Sequence, residues 1–315
     1  MAELAVTAKG LTKRYGNINA VSDLDLAIPR GTIFGFLGPN GAGKTTTIRM
    51  LLGLIEPTAG EAAVLGHDIR RERAAIAPKV AAIVESPAFY TFLNGRQNLE
   101  VLARSSGLSL DKARIDELLD QVGLAGRGGD KVKTYSLGMK QRLGVAATLL
   151  NDPQLIFLDE PTNGLDPAGT VDMRRLISRL GQDGRTVFLS SHLLNEVEQV
   201  CTDLAIVQQG RTLFQGKMRD LVKGAGYALE AAPFERAMAV LGEHPELAAK
   251  SFDGHWINIS AEAGAVPAVV RALVSADVDI YQVQLRQNSL ESMFLELTGT
   301  PEAAVAPLLE QEVGG

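Results

Sequence analysis

One stretch constrains the fold more than any other: Gly38-Pro39-Asn40-Gly41-Ala42-Gly43-Lys44-Thr45. The apolar run Thr32-Ile33-Phe34-Gly35-Phe36-Leu37 precedes it, and a helix-compatible run from Thr45 to Leu54 follows. Buried strand, glycine loop and helix, in that order, open a phosphate-binding α/β domain. The glycines let backbone N–H groups wrap phosphate oxygens where a Cβ would block the approach. Lys44 is expected to reach the terminal phosphates and the Thr45 hydroxyl to ligate Mg²⁺, while Thr46 and residues Gly38 to Gly43 complete the nucleotide-binding set. The helix that starts here points its positive end at the anion.

A second apolar strand, Leu155-Ile156-Phe157-Leu158, carries Asp159 and Glu160 to its C-terminal edge. Open α/β sheets bind their ligands at that edge. Asp159 is expected to hold Mg²⁺, and Glu160 to sit beside the γ-phosphate, where it orients and deprotonates the attacking water. By itself this pair could be an acidic turn after a core strand. The phosphate loop earlier in the chain makes the catalytic reading the stronger one.

The chain has 315 residues, 46% apolar and 22% charged, enough for one large domain or two moderate ones. A net charge of −6 argues against general nucleic-acid binding. The single cysteine, Cys201, excludes an intrachain disulfide and fits a reducing compartment. No apolar run reaches the roughly 18 residues that a bilayer-spanning helix needs, and the N-terminus lacks the pattern of a signal peptide. His67, His244 and His255 have no metal-ligand spacing, and Arg70-Arg71-Glu72-Arg73 reads as a solvated face.

Leu4 to Val6 and Asp25 to Ile28 are predicted as strands. From about 87 the apolar spacing becomes helical, through Leu99, Leu102 and Ala103 and then Ile115, Leu118, Leu119 and Val122, so a helical insert over about 87–150 is expected. Strands return at Leu155 to Leu158, Thr186 to Leu189 and Leu204 to Val207, with helices at Val171 to Leu180 and Leu193 to Val200. The expected class is α/β: a nucleotide-binding core over 1–220, followed by a small α+β appendix over 221–315. In the appendix, Tyr227 to Glu230, Trp256 to Ile259 and Ile280 to Leu285 are predicted as strands. Pro233 to Leu241 and Val266 to Ser275 are predicted as helices, and Ala303 to Gly315 as frayed.

The segment Tyr135-Ser136-Leu137-Gly138-Met139-Lys140-Gln141-Arg142, with an apolar helical run after it, resembles the signature of the ABC ATPase family, Leu-Ser-Gly-Gly-Gln followed by a helix. Ser136 and Gly138 match; Tyr135, Leu137 and Met139 depart. A serine and a glycine amide at a helix start form an anion site, though a serine also caps ordinary helices. The resemblance implies that this site binds the γ-phosphate of ATP held by a second copy. Tyr15 matches the family's adenine-stacking aromatic, with a buried core tyrosine as the competing reading. Pro161 to Asp166 resembles the D-loop that crosses the dimer interface, and Ser190-Ser191-His192 resembles the segment carrying the switch histidine that contacts the γ-phosphate.

One departure stands out. The family usually has glutamine in the loop that joins core and insert, where it senses Mg²⁺ and contacts the membrane partner; here the loop reads Ala82-Ile83-Val84-Glu85-Ser86-Pro87. Glu85 can still offer an oxygen to Mg²⁺, but once ionised it donates no hydrogen bond. With Ala88-Phe89-Tyr90 after it, this segment resembles the drug and peptide-antibiotic exporter branch typified by bacitracin-resistance ATPases. The ending Leu290 to Gly299 resembles that branch too.

The resemblance implies an ATPase subunit on the cytoplasmic face of a membrane, bound peripherally. It implies ATP and Mg²⁺, a homodimer with two ATP molecules in its interface, and a separate polytopic permease that exports a drug, peptide antibiotic or lipid-like cargo. The alternative is an ABC ATPase that acts on ribosomes or DNA without transport. The single P-loop, the acidic charge and the lack of long heptads count against it. A simple P-loop kinase or GTPase leaves Ser136 to Arg142 and His192 unexplained.

Overall fold

A computed structural model describes residues 3–221, 226–244, 247, 249–252, 256–260, 264–286, 290, 293–294 and 297. The expected frayed tail, His255 and most of 290–299 lie outside the described residues. Contacts divide the chain into two units, Met1–Lys217 and Met218–Gly299.

The first unit opens with β1 (Leu4–Tyr15), β2 (Ile18–Pro29) and β3 (Ile33–Leu37), then α1 (Lys44–Leu51), β4 (Ala59–Val64), β5 (His67–Asp68), α2 (Arg73–Ile76) and β6 (Val80–Ile83). The insert supplies α3 (Gly95–Ser105), α4 (Lys112–Gln121) and α5 (Leu137–Thr148). The core resumes with β7 (Leu155–Asp159), α6 (Pro167–Gln182), β8 (Thr186–Ser191), α7 (Leu194–Val200), β9 (Asp203–Gln208) and β10 (Arg211–Lys217).

Two sheets enclose the main core. One is antiparallel, in the order β2-β1-β4-β5; the other runs β10-β9-β3-β8-β7-β6, parallel except for its β9–β10 edge. Every residue of β3, β7 and β8 is buried, as expected of parallel strands covered on both faces. Gly35 in β3 has a packing reason: a Cβ there would meet Val197 Cγ1 at 2.5 Å and Cys201 Sγ at 3.0 Å, so glycine lets α7 lie close against the strand. The helical insert is capped in a legible way. Asn94 and Gln97 form a reciprocal capping box on α3, and the Asp111 side chain caps α4.

The sequence reading placed only Leu4 to Val6 in a strand, whereas β1 runs through Tyr15. Register shifts between Ala8 and Leu11, with Gly10 at φ 58°, break the alternation that would have marked it.

The second unit holds α8 (Met218–Leu221), β11 (Gly226–Ala232), α9 (Phe234–Gly242), β12 (Lys250–Phe252), β13 (Trp256–Ser260), α10 (Val266–Ser275) and β14 (Asp279–Arg286). Its all-antiparallel sheet has the order β12-β13-β11-β14. From β11 onward, that order with a β-α-β-β-α-β chain path is the split βαβ, or ferredoxin-like, arrangement. Leu229, Ile257 and Ile259 pack with Ala237, Leu241, Val269 and Leu273 of its two helices. The α+β expectation for the appendix therefore stands. Among the described residues, no helix is long and apolar enough to cross a membrane.

Candidate active site

The C-terminal ends of β3, β7 and β8, which are neighbours in the sheet, bring the predicted catalytic side chains together. The loop Gly38 to Gly43 leaves β3 and enters α1. Its glycines are required by geometry: Gly43 sits at φ 95°, and a Cβ there would lie 2.4 Å from the Ala20 carbonyl. A Cβ on Gly38 would lie 2.4 Å from the Val207 carbonyl. The loop also closes on itself, with Ala42 N–H donating to the Pro39 carbonyl at 3.1 Å and Gly38 N–H to the Ser191 carbonyl at 3.3 Å. Asn40 and Gly41 are exposed at its tip, and Thr46 is half-buried in the first turn of α1.

Lys44 is buried at 6% exposure and turns back into this loop. Its ammonium donates to the Gly38 carbonyl at 2.7 Å and the Pro39 carbonyl at 3.3 Å, and it pairs with Glu160 Oε1 at 3.1 Å. The other Glu160 oxygen, Oε2, lies 2.8 Å from His192 Nδ1. Glu160 therefore bridges the two side chains that are expected to face phosphate. Burial pushes its carboxyl up, but the His192 hydrogen bond and the Lys44 charge outweigh that and hold it below the usual carboxylate range. The hydrogen bond that the Glu160 carboxylate accepts raises the His192 imidazole above its ordinary value, against the opposing effect of burial. Glu160 also sits at φ 49°, a left-handed conformation that non-glycine residues seldom hold. Such strain costs about 1–3 kcal/mol and persists where the surroundings over-determine it. Here its backbone N–H is held by the Ser190 carbonyl at 3.2 Å and the Ser190 hydroxyl at 3.1 Å.

Beside this group, the Thr45 hydroxyl donates to Asp159 Oδ2 at 2.7 Å, and the Ser190 hydroxyl donates to Asp159 Oδ1 at 2.5 Å. Ser190 was not among the predicted site residues. Its contacts follow from the parallel register that sets Asp159 opposite Ser190, and no sequence spacing reports that register.

The remaining predicted residues lie apart from this centre. Glu85 is not joined to Thr45 or Asp159; its carboxylate pairs with Arg49 of α1, and its backbone stands at φ 63°. No group of three or more His, Cys, Asp or Glu among the described residues could hold a metal. Tyr15 ends β1 with 48% of its surface exposed, which removes the buried-core reading, and Lys13 Nζ lies 5.0 Å from its ring centroid. Ser136 is exposed at the N-cap of α5, where its hydroxyl accepts from Met139 N–H at 3.3 Å; Gly138 follows in the first turn. Tyr135, where the family pattern has leucine, is buried, and its hydroxyl donates to the Arg127 carbonyl at 2.7 Å. Asp166 caps α6 through Gly169 N–H at 3.0 Å.

Comparison with known proteins agrees with this geometry. Residues 21–163 match the family described as ABC transporter. The chain is 42% identical, over 94% of its length and 97% of the relative's, to the uncharacterised ABC transporter ATP-binding protein YhcH of Bacillus subtilis. It is 39% identical to the bacitracin transport ATP-binding protein BcrA of Bacillus licheniformis, covering 92% of this chain and 95% of that one. Against the daunorubicin resistance ATP-binding protein DrrA3 of Streptomyces coeruleorubidus, identity is again 39%, covering 95% and 97%. Among solved structures, an ATP-binding subunit of an ABC transporter matches at 30% identity and TM-score 0.60, over 69% of this chain and 91% of that one. A dimeric ATP-binding cassette bound to ADP and Pi matches at 25% identity and TM-score 0.61, over 68% and 99%. With the phosphate loop, the paired carboxylates and the histidine gathered at one sheet edge, and with full-length relatives of this kind, the chain belongs to the ATP-binding, ATP-hydrolysing subunits of ABC transporters.

Proposed function

We propose that this chain, as a pair of copies on the cytoplasmic face of a membrane, drives export of a drug, peptide antibiotic or lipid-like cargo through a separate polytopic permease. The observation that carries the ATPase chemistry is the bridge of Glu160 between Lys44 and His192. Glu160 occupies the partners, Lys44 and His192, that a γ-phosphate would take. On this reading, phosphate replaces the carboxylate on Lys44 and His192. The released Glu160, still held at its backbone by Ser190, then accepts a proton from the attacking water. Thr45 and Asp159 present a hydroxyl and a carboxylate oxygen together, the hard donor set that suits Mg²⁺. When bound there, Mg²⁺ would neutralise developing charge on the β- and γ-phosphates. Tyr15 is free on one face to take adenine, and the exposed Ser136 and half-buried Gly138 are available to ATP on a second copy.

Two features support docking on a membrane partner. An apolar groove of about 880 Å³ is lined by Val84, Pro87, Phe89, Leu102 and Gly144, next to Glu85. Tyr90 and Phe92, 52% and 67% exposed, stack edge-on at 5.9 Å in the same segment. The export direction and cargo class come from the likeness to bacitracin and daunorubicin resistance proteins.

Glu160→Gln tests the chemistry. Turnover should fall about 10²-fold or more, as for the loss of a general base. ATP should still bind and accumulate in a trapped dimer, visible by size-exclusion chromatography. Hydrolysis at the wild-type rate would remove Glu160 from its role.

A further inference from the structure

Glu196, on α7, is a buried carboxyl that the chemistry above does not use; it is 3% exposed. Its Oε2 accepts two hydrogen bonds, from the Thr162 hydroxyl at 2.6 Å and the Ser191 hydroxyl at 3.0 Å. Its Oε1 is buried with no hydrogen-bond partner. Thr162 stands two residues after Glu160, and Ser191 immediately precedes His192. A single carboxyl oxygen therefore joins the two chain segments that carry Glu160 and His192. The Ser191 hydroxyl in turn accepts from Leu193 N–H at 3.0 Å, so the chain is gripped on both sides of His192.

The sheet cannot do this work. The β7–β8 pairing ends at Asp159 and Ser190, and the last backbone bond between the two segments is Glu160 N–H to the Ser190 carbonyl. Beyond it, the hydrogen bonds that join the two segments among the described residues are the Glu160–His192 contact itself and those of the Glu196 carboxyl with Thr162 and Ser191. A buried carboxyl with an orphaned oxygen costs stability. Burial indeed pushes the Glu196 carboxyl above the usual range, against the hydrogen bonds from Thr162 and Ser191.

We infer that Glu196 is a positioning residue that sets the spacing of Glu160 and His192 by holding Thr162 and Ser191 on one carboxyl oxygen. It acts through Thr162 and Ser191, and its role rests on the reading of Glu160 and His192 given above. The test is steady-state ATP hydrolysis by the purified full-length chain, comparing wild type with Glu196→Ala, Glu196→Gln and Thr162→Val. Glutamine keeps the accepting oxygen, and alanine removes it. Glu196→Ala should lower kcat about 10- to 10²-fold, the effect of misplacing catalytic groups, while KM for ATP stays within about 3-fold. Glu196→Gln should restore kcat to within about 3-fold of wild type. Thr162→Val should fall between them and add nothing in the double variant with Glu196→Ala.

A Glu196→Ala enzyme with wild-type kcat, or a Glu196→Gln enzyme as impaired as Glu196→Ala, overturns the inference. Should Glu196→Ala not fold, Thr162→Val decides: wild-type kcat there overturns it equally. Absence of hydrolysis in the wild-type chain would overturn the functional reading itself, and this inference with it.

Discussion

At the scale of residues, the site is a set of charges held in reserve. Lys44 and His192 share one carboxylate, and that sharing has a pH signature in the nucleotide-free protein. His192 titrates higher in the folded state, so its share of the stabilisation is full below the ordinary 6.5 and fades as pH rises through the raised value. Glu160 titrates lower, so its share is present above the ordinary 4.5 and fades as pH falls through the lowered value. The melting-temperature gap between wild type and His192→Gln should therefore be widest between about 4.5 and 6.5 and shrink toward alkaline pH. Thermal melts across that range check it; a gap that widens above neutrality would contradict the pairing. That Lys44, Thr45, Asp159 and Glu160 meet was legible in the sequence, because the chemistry proposed for them needs fixed local spacing. Ser190 and Glu196 were not legible as partners, because their contacts reach 31 and 34 residues along the chain, to Asp159 and Thr162, and depend on strand register.

At the scale of elements, the parallel strands position the candidate site's edge through their aromatic core. Phe188 on β8 packs at 5.9, 5.2 and 5.1 Å, centroid to centroid, from Phe34, Phe36 and Phe157 on the flanking strands. Phe188→Ala should cost about 3–5 kcal/mol, read from the urea midpoint of the first unit's unfolding. A shift worth less than about 1 kcal/mol would mean that these rings do not hold the strands in place. These strands were readable as continuous apolar runs, and the insert helices as three- and four-residue spacings. The twelve-residue β1 was not, because its bulges and Gly10 disrupt the period-two pattern that signals a strand. Short β12, only Lys250–Phe252, offers too few residues for any periodicity to show.

At the scale of the whole molecule, the chain pairs a nucleotide-hydrolysing unit with a ferredoxin-like one, and none of its described helices could cross a membrane. On the proposed function, cargo contacts lie in a separate permease, so cargo was not legible in this sequence, whereas the ATPase family was. In that proposal the exposed Tyr90 and Phe92, beside the groove at Val84 to Phe89, are the docking surface. The most direct test is to tag the full chain in its native cell, solubilise the membranes gently and identify what co-purifies. The account predicts a stoichiometric polytopic membrane protein that stays bound through purification. Recovery of the chain away from membranes, with ribosomal or DNA-bound partners, would contradict transport while leaving the ATPase chemistry in place.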